Sequence, residues 1–375
     1  MNLQPIQTDS SGSKAPAALE IRVITGSKAV SSSLDERWDE LLLKQSVPNP
    51  TSSAAWLRAT IGLDSTATPL LITAESEGKL LGAGAFELKK KGFIRTARWL
   101  GGSGRPTITP DILVDPSHRN IASKIIDRLE READLISLGP SRIGGVAGQC
   151  FNDRKSIIPE EGLVEEAWIV ELPAPKTEKL KKKNASRLRR AHREGIKTVV
   201  HTHSDVDSIA PALERLFLLH LRCWEGRNDV SRFSKTPFYR SWTRSLVMEL
   251  AGLQRVRIIE VTEDEQPAAM VLGFLFGRGA LYHTPAVEPD CRLQSAGHIA
   301  MQAWVEAAME AGAEVMNLGR GSGEPQGPKA ALGPEKYPCD FFKSSGKAVF
   351  ELALATQKRS LRLKQALFNV YRRSY

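Results

Sequence analysis

Two halves of this 375-residue chain repeat the same order of sequence patterns, and this repeat restricts the fold more than any other feature. Residues 69–88 and 256–276 each contain an apolar stretch, an acidic turn and a second apolar stretch, which predicts a β-hairpin in each half. Residues 116–145 and 295–324 each predict a helix followed by a short buried strand that ends in Leu-Gly and a polar turn. The sequence therefore predicts two lobes of the same α+β type.

The length of the chain agrees with two domains, because one hydrophobic core rarely fills so many residues. We expect the first lobe at residues 20–172 and the second lobe at residues 196–350. A basic helix at residues 173–195 is expected to join them. Residues 1–19 predict a disordered tail, and residues 351–375 predict a basic amphipathic helix.

Positive charge is concentrated in two short segments. Residues 176–193 contain nine Lys and Arg against the single acid Glu178, and residues 356–375 contain six Lys and Arg with no acid. The whole chain has a net charge of +9, so the remainder has a net charge of −5. The positive potential is therefore local, and it points to particular partners rather than to a generally basic surface.

The first basic segment forms an amphipathic pattern at helical spacing. Lys183, Arg187 and Arg190 follow one stripe of the predicted helix, while its apolar residues follow another. A basic stripe beside a cleft suits a phosphate-bearing acceptor such as a nucleotide sugar or a lipid-linked sugar, and a solvated charged face without a ligand is the alternative. Duplex DNA is disfavoured, because no known DNA-binding motif accompanies the charge and aromatic residues make up only 6% of the chain.

A phosphate-binding turn is predicted where the second lobe passes from strand to helix. Gln294, Ser295, Ala296 and Gly297 lie at this junction, where unpaired backbone N–H groups and the helix dipole favour an anion. An ordinary helix N-cap is the alternative interpretation. His298, in the first turn of this helix, is expected to contact the phosphate or to cap the helix.

Several segments in a fixed order resemble a known group of transferases. They include the aromatic helix at Trp56, the stretches "RTARWLGG" and "WIVELPAP", the basic segment, "QSAGHIAMQAW" and "EVMNLGRGSG". In this order the chain resembles tandem-lobe members of the GNAT superfamily, specifically the CelD-type acetyltransferases associated with exopolysaccharide genes. It is more distantly similar to the Fem peptidoglycan aminoacyl-transferases.

The resemblance implies a fold of two tandem GNAT-like lobes with mixed, largely antiparallel sheets, and a donor that is acetyl-CoA or another acyl-CoA. In this group Gln/Arg-x-x-Gly-x-Gly/Ala holds the pyrophosphate of the donor, and here Gln294, Gly297 and Ile299 take those places, with Ile as a departure. The matching junction of the first lobe lacks the Gly, so the donor is expected in the second lobe only. The implied reaction is N- or O-acyl transfer to a carbohydrate precursor in polysaccharide synthesis.

Candidate catalytic residues follow from this reaction, which needs a base for the nucleophile. His283, on the predicted strand before the phosphate turn, is the first choice, and a local structural hydrogen bond is its alternative role. Tyr282 is a candidate acid for the departing thiolate, although strand alternation places it on the opposite face. Glu225, on the loop after a predicted helix, is the alternative base.

The turn after the last buried strand of the repeat supplies candidate binding residues. Arg320 and Lys329 are expected to bind substrate there, in the places where the related group has Arg-Gly and Tyr-Lys. Asn317 stands where that group has an acidic residue, and Pro328 stands where it has the Tyr.

Two other functions are kept as alternatives. One is an aminoacyl-tRNA-dependent ligase of Fem type, in which the basic helix would hold RNA. The other is a non-catalytic GNAT-like partner protein. No metal is expected, because no cluster of His, Cys and acids has the spacing of a known metal site.

The expected location is cytoplasmic. No run of the sequence is apolar enough to span a bilayer, and the N-terminal residues do not resemble a signal peptide. The basic helix predicted at residues 351–375 is a candidate for peripheral contact with the inner membrane surface.

Overall fold

The structure is a computed structural model, and it describes residues 18–92, 94–101, 107–152, 165–225, 230–321 and 324–344. Its strands are β1 (Glu20–Thr25), β2 (Ala67–Ser76), β3 (Lys79–Lys91), β4 (Ile94–Trp99), β5 (Leu113–Val114), β6 (Leu135–Arg142), β7 (Glu165–Glu171), β8 (Thr198–His203), β9 (Val256–Glu263), β10 (Gln266–Phe276), β11 (Gly279–Val287), β12 (Val315–Gly321) and β13 (Glu335–Ser344). Its α-helices are α1 (Ser27–Ser33), α2 (Glu36–Leu43), α3 (Ala54–Thr60), α4 (Ile121–Glu132), α5 (Val146–Asn152), α6 (Thr177–Arg193), α7 (Val206–Glu225), α8 (Arg232–Lys235), α9 (Pro237–Gly252) and α10 (Ala296–Glu310). The predicted C-terminal helix and nearly all of the predicted N-terminal tail lie outside the described residues.

All strands belong to one 13-stranded mixed sheet. Its order is β1-β2-β3-β4-β6-β13-β7-β12-β11-β10-β9-β8, and β5 pairs with β3 at the side. Two neighbouring pairs are parallel, β4 with β6 and β11 with β12, and the other pairs are antiparallel. The predicted fold class, mixed and largely antiparallel sheets flanked by helices, is confirmed.

The repeat extends to the register of single residues. In the first lobe Leu81 is the extra residue of a β-bulge between β2 and β3, because Ala74 pairs with Gly82 and Glu75 with Leu80. In the second lobe Ala268 takes the same place, one residue inside β10 between two regular pairs with β9. A bulge leaves one residue unpaired and bends its strand, so both hairpins bend at the same point.

Two strands cross between the halves of the chain. β7 precedes the basic helix, but its partners are β12 and β13 from the end of the chain. β13 in turn pairs with β6 of the first lobe. Each half therefore contributes a strand that completes the sheet next to the other half.

Helix α10 packs against the sheet at a glycine. The ring of Trp304 is fully buried and lies where a side chain at Gly273 would otherwise stand, since a Cβ there would come within 2.3 Å of the indole. Burying a large aromatic ring contributes roughly 3 kcal/mol to folding. A side chain at Gly273 would displace this ring and loosen α10, whose N-terminus carries the predicted phosphate turn.

Helix α6 is anchored by its apolar stripe and by one buried amide. Leu180 and Ala191 are buried in the same core as α10, and Leu188 packs against that core. Asn184 is buried between the two helices, where its Nδ2 donates to the backbone oxygen of His298 at 2.9 Å and to Oε1 of Gln302 at 2.9 Å. Because a buried amide without partners is costly, these bonds fix the position of α6 relative to α10. Within the described ranges, no helix is both long and apolar enough to cross a membrane.

Candidate active site between two diverging strands

The sheet opens between β11 and β12. The two strands pair over only three positions, from Gly279 with Val315 to Leu281 with Asn317, and then separate. His283 is the extra residue of a bulge in β11, because Tyr282 pairs with Gly273 and Thr284 pairs with Leu272. The bend at this bulge accompanies the divergence, and the resulting slot lies between the C-terminal parts of the two strands.

His283 lines one side of the slot against the first lobe. Its ring meets that of Trp56, on α3, edge to face with centroids 5.6 Å apart, and that of Phe274 at 5.3 Å. Its Nδ1 forms a 2.7 Å hydrogen bond with the hydroxyl of Thr284, whereas its Nε2 is shielded from solvent and has no partner among the described residues. Burial and the nearby charges of Arg232 and Lys329 lower the pKa of His283 to about 3. The ring is therefore neutral near pH 7, and it accepts a proton less readily than its ordinary pKa would imply.

Tyr282 faces the other side of the sheet, as strand alternation predicts. It is buried in the core beneath α10, and this burial raises the pKa of its phenol well above its usual range. Its ring lies 5.9 Å from Nζ of Lys329. Tyr282 thus forms a wall of the slot.

Lys329 reaches into the slot from the segment after β12. Its Nζ lies 5.0 Å from the ring centroid of Trp168, on β7, and 3.7 Å from the position that a Cβ would take at Gly319. Gly319 has a φ of 86°, a left-handed conformation that glycine adopts without strain. Burial and the charge of Arg232 lower the pKa of Lys329 to about 8. A lysine with this pKa is partly uncharged near neutral pH and is able to accept a proton.

Three shielded polar atoms without partners surround this slot. They are Nε2 of His283 and the indole nitrogens of Trp56 and Trp168. Buried polar atoms are nearly always hydrogen-bonded in native proteins, so a ligand or a water in the slot would supply the partners of these three. The sequence pattern assigns no role to Trp56 or to Trp168, because their contacts with His283 and with Lys329 join residues that are distant in the chain.

Arg232 is a further charged neighbour that the sequence did not indicate. It opens α8, a helix capped by Ser231, whose hydroxyl accepts the backbone N–H of Phe233 at 3.2 Å. The same hydroxyl lies 2.8 Å from Nδ1 of His220, which is buried under α8. After burial, the charge of Arg232 is the next cause of the lowered pKa values of both His283 and Lys329.

The predicted phosphate turn lies at the start of α10, on the α6 side of the slot. The backbone N–H groups of Gln294, Ser295 and Gly297 donate to no acceptor among the described residues. A Cβ at Gly297 would lie 3.1 Å from Cγ2 of Val287, so the turn is packed closely against β11. Ala296 is buried, and Ile299 points into the core and away from the turn.

Ser295 occupies the N-cap position of α10, but neither its side chain nor that of His298 makes a capping hydrogen bond with a described residue. The His298 ring is half-buried. Burial lowers its pKa, and the nearby charges of Arg187 and Lys183 lower it further. The backbone N–H groups of the turn therefore have no side-chain acceptor among the described residues, and positive charge lies beside them.

The basic stripe of α6 flanks this turn. Arg190 donates to Oε1 of Gln294 at 3.3 Å and to Glu194 at 2.7 Å, and Arg187 donates to Oδ1 of Asn184 at 2.7 Å. Lys183 is exposed on the same face. The structure brings the three residues of the stripe to the phosphate turn and not to the part of the slot that His283 lines.

Three further residues singled out by the sequence have the following surroundings. Arg320 forms an ion pair with Glu165 of β7. Glu225 ends α7 and makes no hydrogen bond or ion pair with a described residue. Asn317 is buried at the divergence, where its Oδ1 accepts the N–H of Gly319 at 2.8 Å and its Nδ2 lies 3.4 Å from the hydroxyl of Thr109. In the described part of the chain, no group of three or more His, Cys, Asp or Glu is placed to hold a metal ion.

Part of the chain matches a known protein family. Residues 179–326, from α6 to beyond β12, match the model of the acetyltransferase (GNAT) domain. This part of the chain is therefore similar to a GNAT acetyltransferase domain, and the predicted acyltransferase enzyme of GNAT type is confirmed. No curated protein is similar to the chain in sequence at a significant level.

Solved structures share the architecture of nearly the whole chain. FemX superposes with a TM-score of 0.58 and 12% identity, covering 82% of this chain and 95% of its own. A conserved protein of unknown function from Bacteroides thetaiotaomicron has a TM-score of 0.56 and 12% identity, covering 84% of this chain and 97% of its own. The C-terminal domain of a putative lysylphosphatidylglycerol synthetase from Agrobacterium fabrum has a TM-score of 0.51 and 13% identity, covering 87% and 95%. At these identities the similarity concerns the fold alone.

Proposed function

We propose that this protein transfers an acyl group from an acyl-CoA to an amine or hydroxyl of a phosphate-bearing carbohydrate precursor. The observation that carries the proposal is the slot between β11 and β12, where the amine of Lys329 lies among shielded nitrogen atoms without partners. An acyl donor and an acceptor would supply those partners.

The donor phosphates are assigned to the start of α10 and to the basic stripe of α6. The unpaired N–H groups of the turn point to an anion, and Lys183, Arg187 and Arg190 surround it with positive charge. The sequence pattern predicts that this stripe binds a phosphate of the acceptor, but its position beside the turn favours the phosphates of the donor instead. The coenzyme supplies a thioester, an acyl group activated for transfer.

The chemistry of the slot is assigned to Lys329 and His283. The uncharged amine of Lys329 accepts the proton of the nucleophile as the new C–N or C–O bond forms and the C–S bond breaks, and the proton then passes to the departing thiolate. The neutral ring of His283 accepts a hydrogen bond through Nε2 and orients the nucleophile. The indole N–H groups of Trp56 and Trp168 are available donors for developing negative charge.

The finer assignment rests on the resemblance described above. A CelD-type acetyltransferase would act in exopolysaccharide synthesis, on a nucleotide sugar or a lipid-linked sugar in the cytoplasm. Residues 351–375, with their six Lys and Arg between positions 358 and 373, would bring it to an anionic membrane surface.

A second candidate function is aminoacyl transfer from tRNA. It is favoured by the exposed basic face of α6 beside the phosphate turn and by the fold shared with FemX. An RNA that neutralises several of these charges would bind with a steep dependence on salt, whereas acyl-CoA binding would change less.

The deciding experiment is calorimetric titration of the full chain with acetyl-CoA and with a longer acyl-CoA. The variant Arg187→Gln/Arg190→Gln is expected to weaken binding at least tenfold. The control Arg189→Gln, an exposed residue on another face of α6, is expected to bind like the unchanged protein. Absence of acyl-CoA binding, together with salt-sensitive binding of charged tRNA, would establish the second candidate instead.

A further inference from the structure

A cavity of about 640 Å³ lies outside the slot, on the side of the first lobe. Its walls come from the segment after α2, the segment before β5, the start of α4, and the turn between β6 and α5. Ile169 of β7 and Asn317 of β12 form its far end. The cavity thus extends from the first lobe to the point where β11 and β12 diverge.

The repeat indicates why the first lobe has a cavity of this kind and no donor slot. β4 and β6 pair at only two positions and then separate, as β11 and β12 do. In the first lobe the gap is filled by Trp99, which is 2% exposed, donates from Nε1 to the hydroxyl of Ser141 at 2.7 Å, and stacks on Phe86 at 5.2 Å. An indole in this position leaves no passage for a donor arm, so the cavity beside it is left for a different ligand.

The free charges in the cavity are positive. Arg119 and Arg142 both line it, and neither guanidinium forms a hydrogen bond or an ion pair with a described residue, although that of Arg142 lies 6.0 Å from the ring centroid of Tyr337. The carboxylate of Asp111 also lines the cavity, but it accepts the backbone N–H groups of Ile112, Val146 and Ala147 at 2.7–2.9 Å. It attracts Arg142 only through space, and burial raises its pKa.

A third cation, Lys44, also lines the cavity, but it is already paired with an acid. Its Nζ lies 2.9 Å from Oδ2 of Asp115. The two guanidinium groups therefore remain as the groups able to bind an anionic part of a ligand, a role for which their planar donors are suited.

The rest of the described lining mixes apolar and polar side chains and contains no aromatic ring. Among the polar ones, Asn120, Ser123 and Gln149 bring amide and hydroxyl groups to the cavity, and Ser123 and Gln149 also donate within the wall, to the backbone oxygens of Asn120 and Gly144. A nucleobase usually stacks on an aromatic ring, whereas hydroxyl groups of a sugar need only hydrogen-bonding partners. The lining therefore suits a hydroxylated ligand with one anionic group better than a nucleobase.

We propose that this cavity binds the acceptor as an anionic sugar, with its phosphate or carboxylate held by Arg119 and Arg142 and its reacting end directed to Asn317. Asn317 pairs with Leu281, and His283 follows two residues later on β11, a rise of about 7 Å along the strand. The ligand thus approaches the slot from the side opposite the phosphate turn. This assignment rests on the proposed acyl transfer.

The test is calorimetric titration of the full chain with four probes: glucose 1-phosphate, glucuronic acid, glucose and inorganic phosphate. Saturable binding is expected for glucose 1-phosphate or glucuronic acid, and the stronger of the two identifies the anionic group. Glucose, without a charge, is expected to bind at least tenfold more weakly. Equal affinity for inorganic phosphate and glucose 1-phosphate would overturn the assignment to a sugar.

Variants connect the binding to the cavity. Arg119 is exposed, so Arg119→Gln is expected to leave the fold intact and to weaken binding of the preferred probe at least tenfold. Arg142→Gln is expected to weaken the same binding to the same extent. Arg131→Gln, at the exposed far end of α4, is the matched control and is expected to bind normally. Binding that is unchanged in both cavity variants, or no binding of any probe, would overturn the proposal.

Titration of the same proteins with acetyl-CoA separates this inference from the proposed function. One outcome is that Arg119→Gln still binds acetyl-CoA while the unchanged protein binds none of the sugar probes. This outcome would overturn the cavity assignment and leave the proposed acyl transfer standing. Sugar binding without any acyl-CoA binding would remove the proposed acyl transfer and leave the cavity as a sugar site.

Discussion

The indole of Trp56 and the imidazole of His283 meet edge to face, with centroids 5.6 Å apart and planes at 78°. Trp56 belongs to α3 in the first lobe and His283 to β11 in the second, so the candidate active site is built from both lobes. Each ring also has a shielded nitrogen without a partner. The two rings therefore pack the lobes together, and each also has a nitrogen that could form a hydrogen bond with a ligand in the slot.

Trp56→Phe is expected to affect activity more than stability, in contrast to Trp242→Phe. Nε1 of Trp242 donates to the backbone oxygen of Ala59 at 2.8 Å, whereas Nε1 of Trp56 has no acceptor. Trp242→Phe leaves a carbonyl unpaired, so urea unfolding should show it to be about 1–2 kcal/mol less stable than Trp56→Phe. The activity of Trp56→Phe should fall about tenfold, the value of one hydrogen bond in the transition state. Equal unfolding midpoints and equal turnover in the two variants would contradict this.

The pH dependence of acyl transfer is expected to follow Lys329. A base must be deprotonated to act, so kcat/KM should rise with pH through about 8, the pKa of Lys329, and then level off. Lys329→Met should abolish this rise and lower the rate by about 10²–10⁴. His283→Gln should retain the rise near pH 8, since His283 has a pKa of about 3 and stays neutral throughout. A rise near pH 6–7 that disappears in His283→Gln would assign the base to His283 instead.

Arg232 is expected to set the position of that rise. Its positive charge lowers the pKa of Lys329, so Arg232→Gln should raise the pKa and move the pH profile to more alkaline values. Lys235→Gln, at the exposed end of the same short helix, is the control and should leave the profile in place. A profile that shifts equally in both variants would show a general charge effect of α8.

Glu260 is expected to make the fold sensitive to acid. Burial alone would raise its pKa, but hydrogen bonds from His203 and Arg215 outweigh it and hold the pKa at about 2. A carboxyl with a depressed folded-state pKa stabilises the fold above its unfolded pKa, and this contribution is lost as the pH falls from about 4.5 towards 2.

Urea unfolding between pH 7 and pH 2.5 should therefore reveal a loss of up to about 3 kcal/mol that Glu260→Gln does not show. Glu265→Gln, an exposed partner of Lys197, serves as the control and should retain the loss. The prediction fails if the unchanged protein and Glu260→Gln lose stability in parallel.

The sequence predicted those features that depend on local pattern. The two hairpins, the helices α4, α6 and α10, and the packed stripe of α6 follow from apolar spacing, and all are present. The repeat predicted the fold class, since equal patterns imply equal supersecondary units. The placement of His283 and Tyr282 on opposite faces also followed from strand alternation.

The remaining features depend on contacts between distant residues, which a single sequence does not display. The pKa of His283 depends on burial against Trp56 and on Arg232, residues that lie far from it in the chain. The approach of the α6 stripe to the phosphate turn depends on the packing of Asn184 against α10. The position of Trp99 in the gap of the first lobe depends on its hydrogen bond with Ser141, a residue that is also distant in the chain.

The crossing of β7 and β13 also bears on how the chain folds during synthesis. β7 ends at Glu171, but its partners begin at Val315 and Glu335, so it remains without neighbours until most of the chain has left the ribosome. The first half exposes an unpaired sheet edge during that interval, and such edges are sites of aggregation. Completion of the sheet is therefore a late event that joins a strand from the middle of the chain to two strands made much later, and a slow or interrupted synthesis would leave the nascent protein dependent on chaperones.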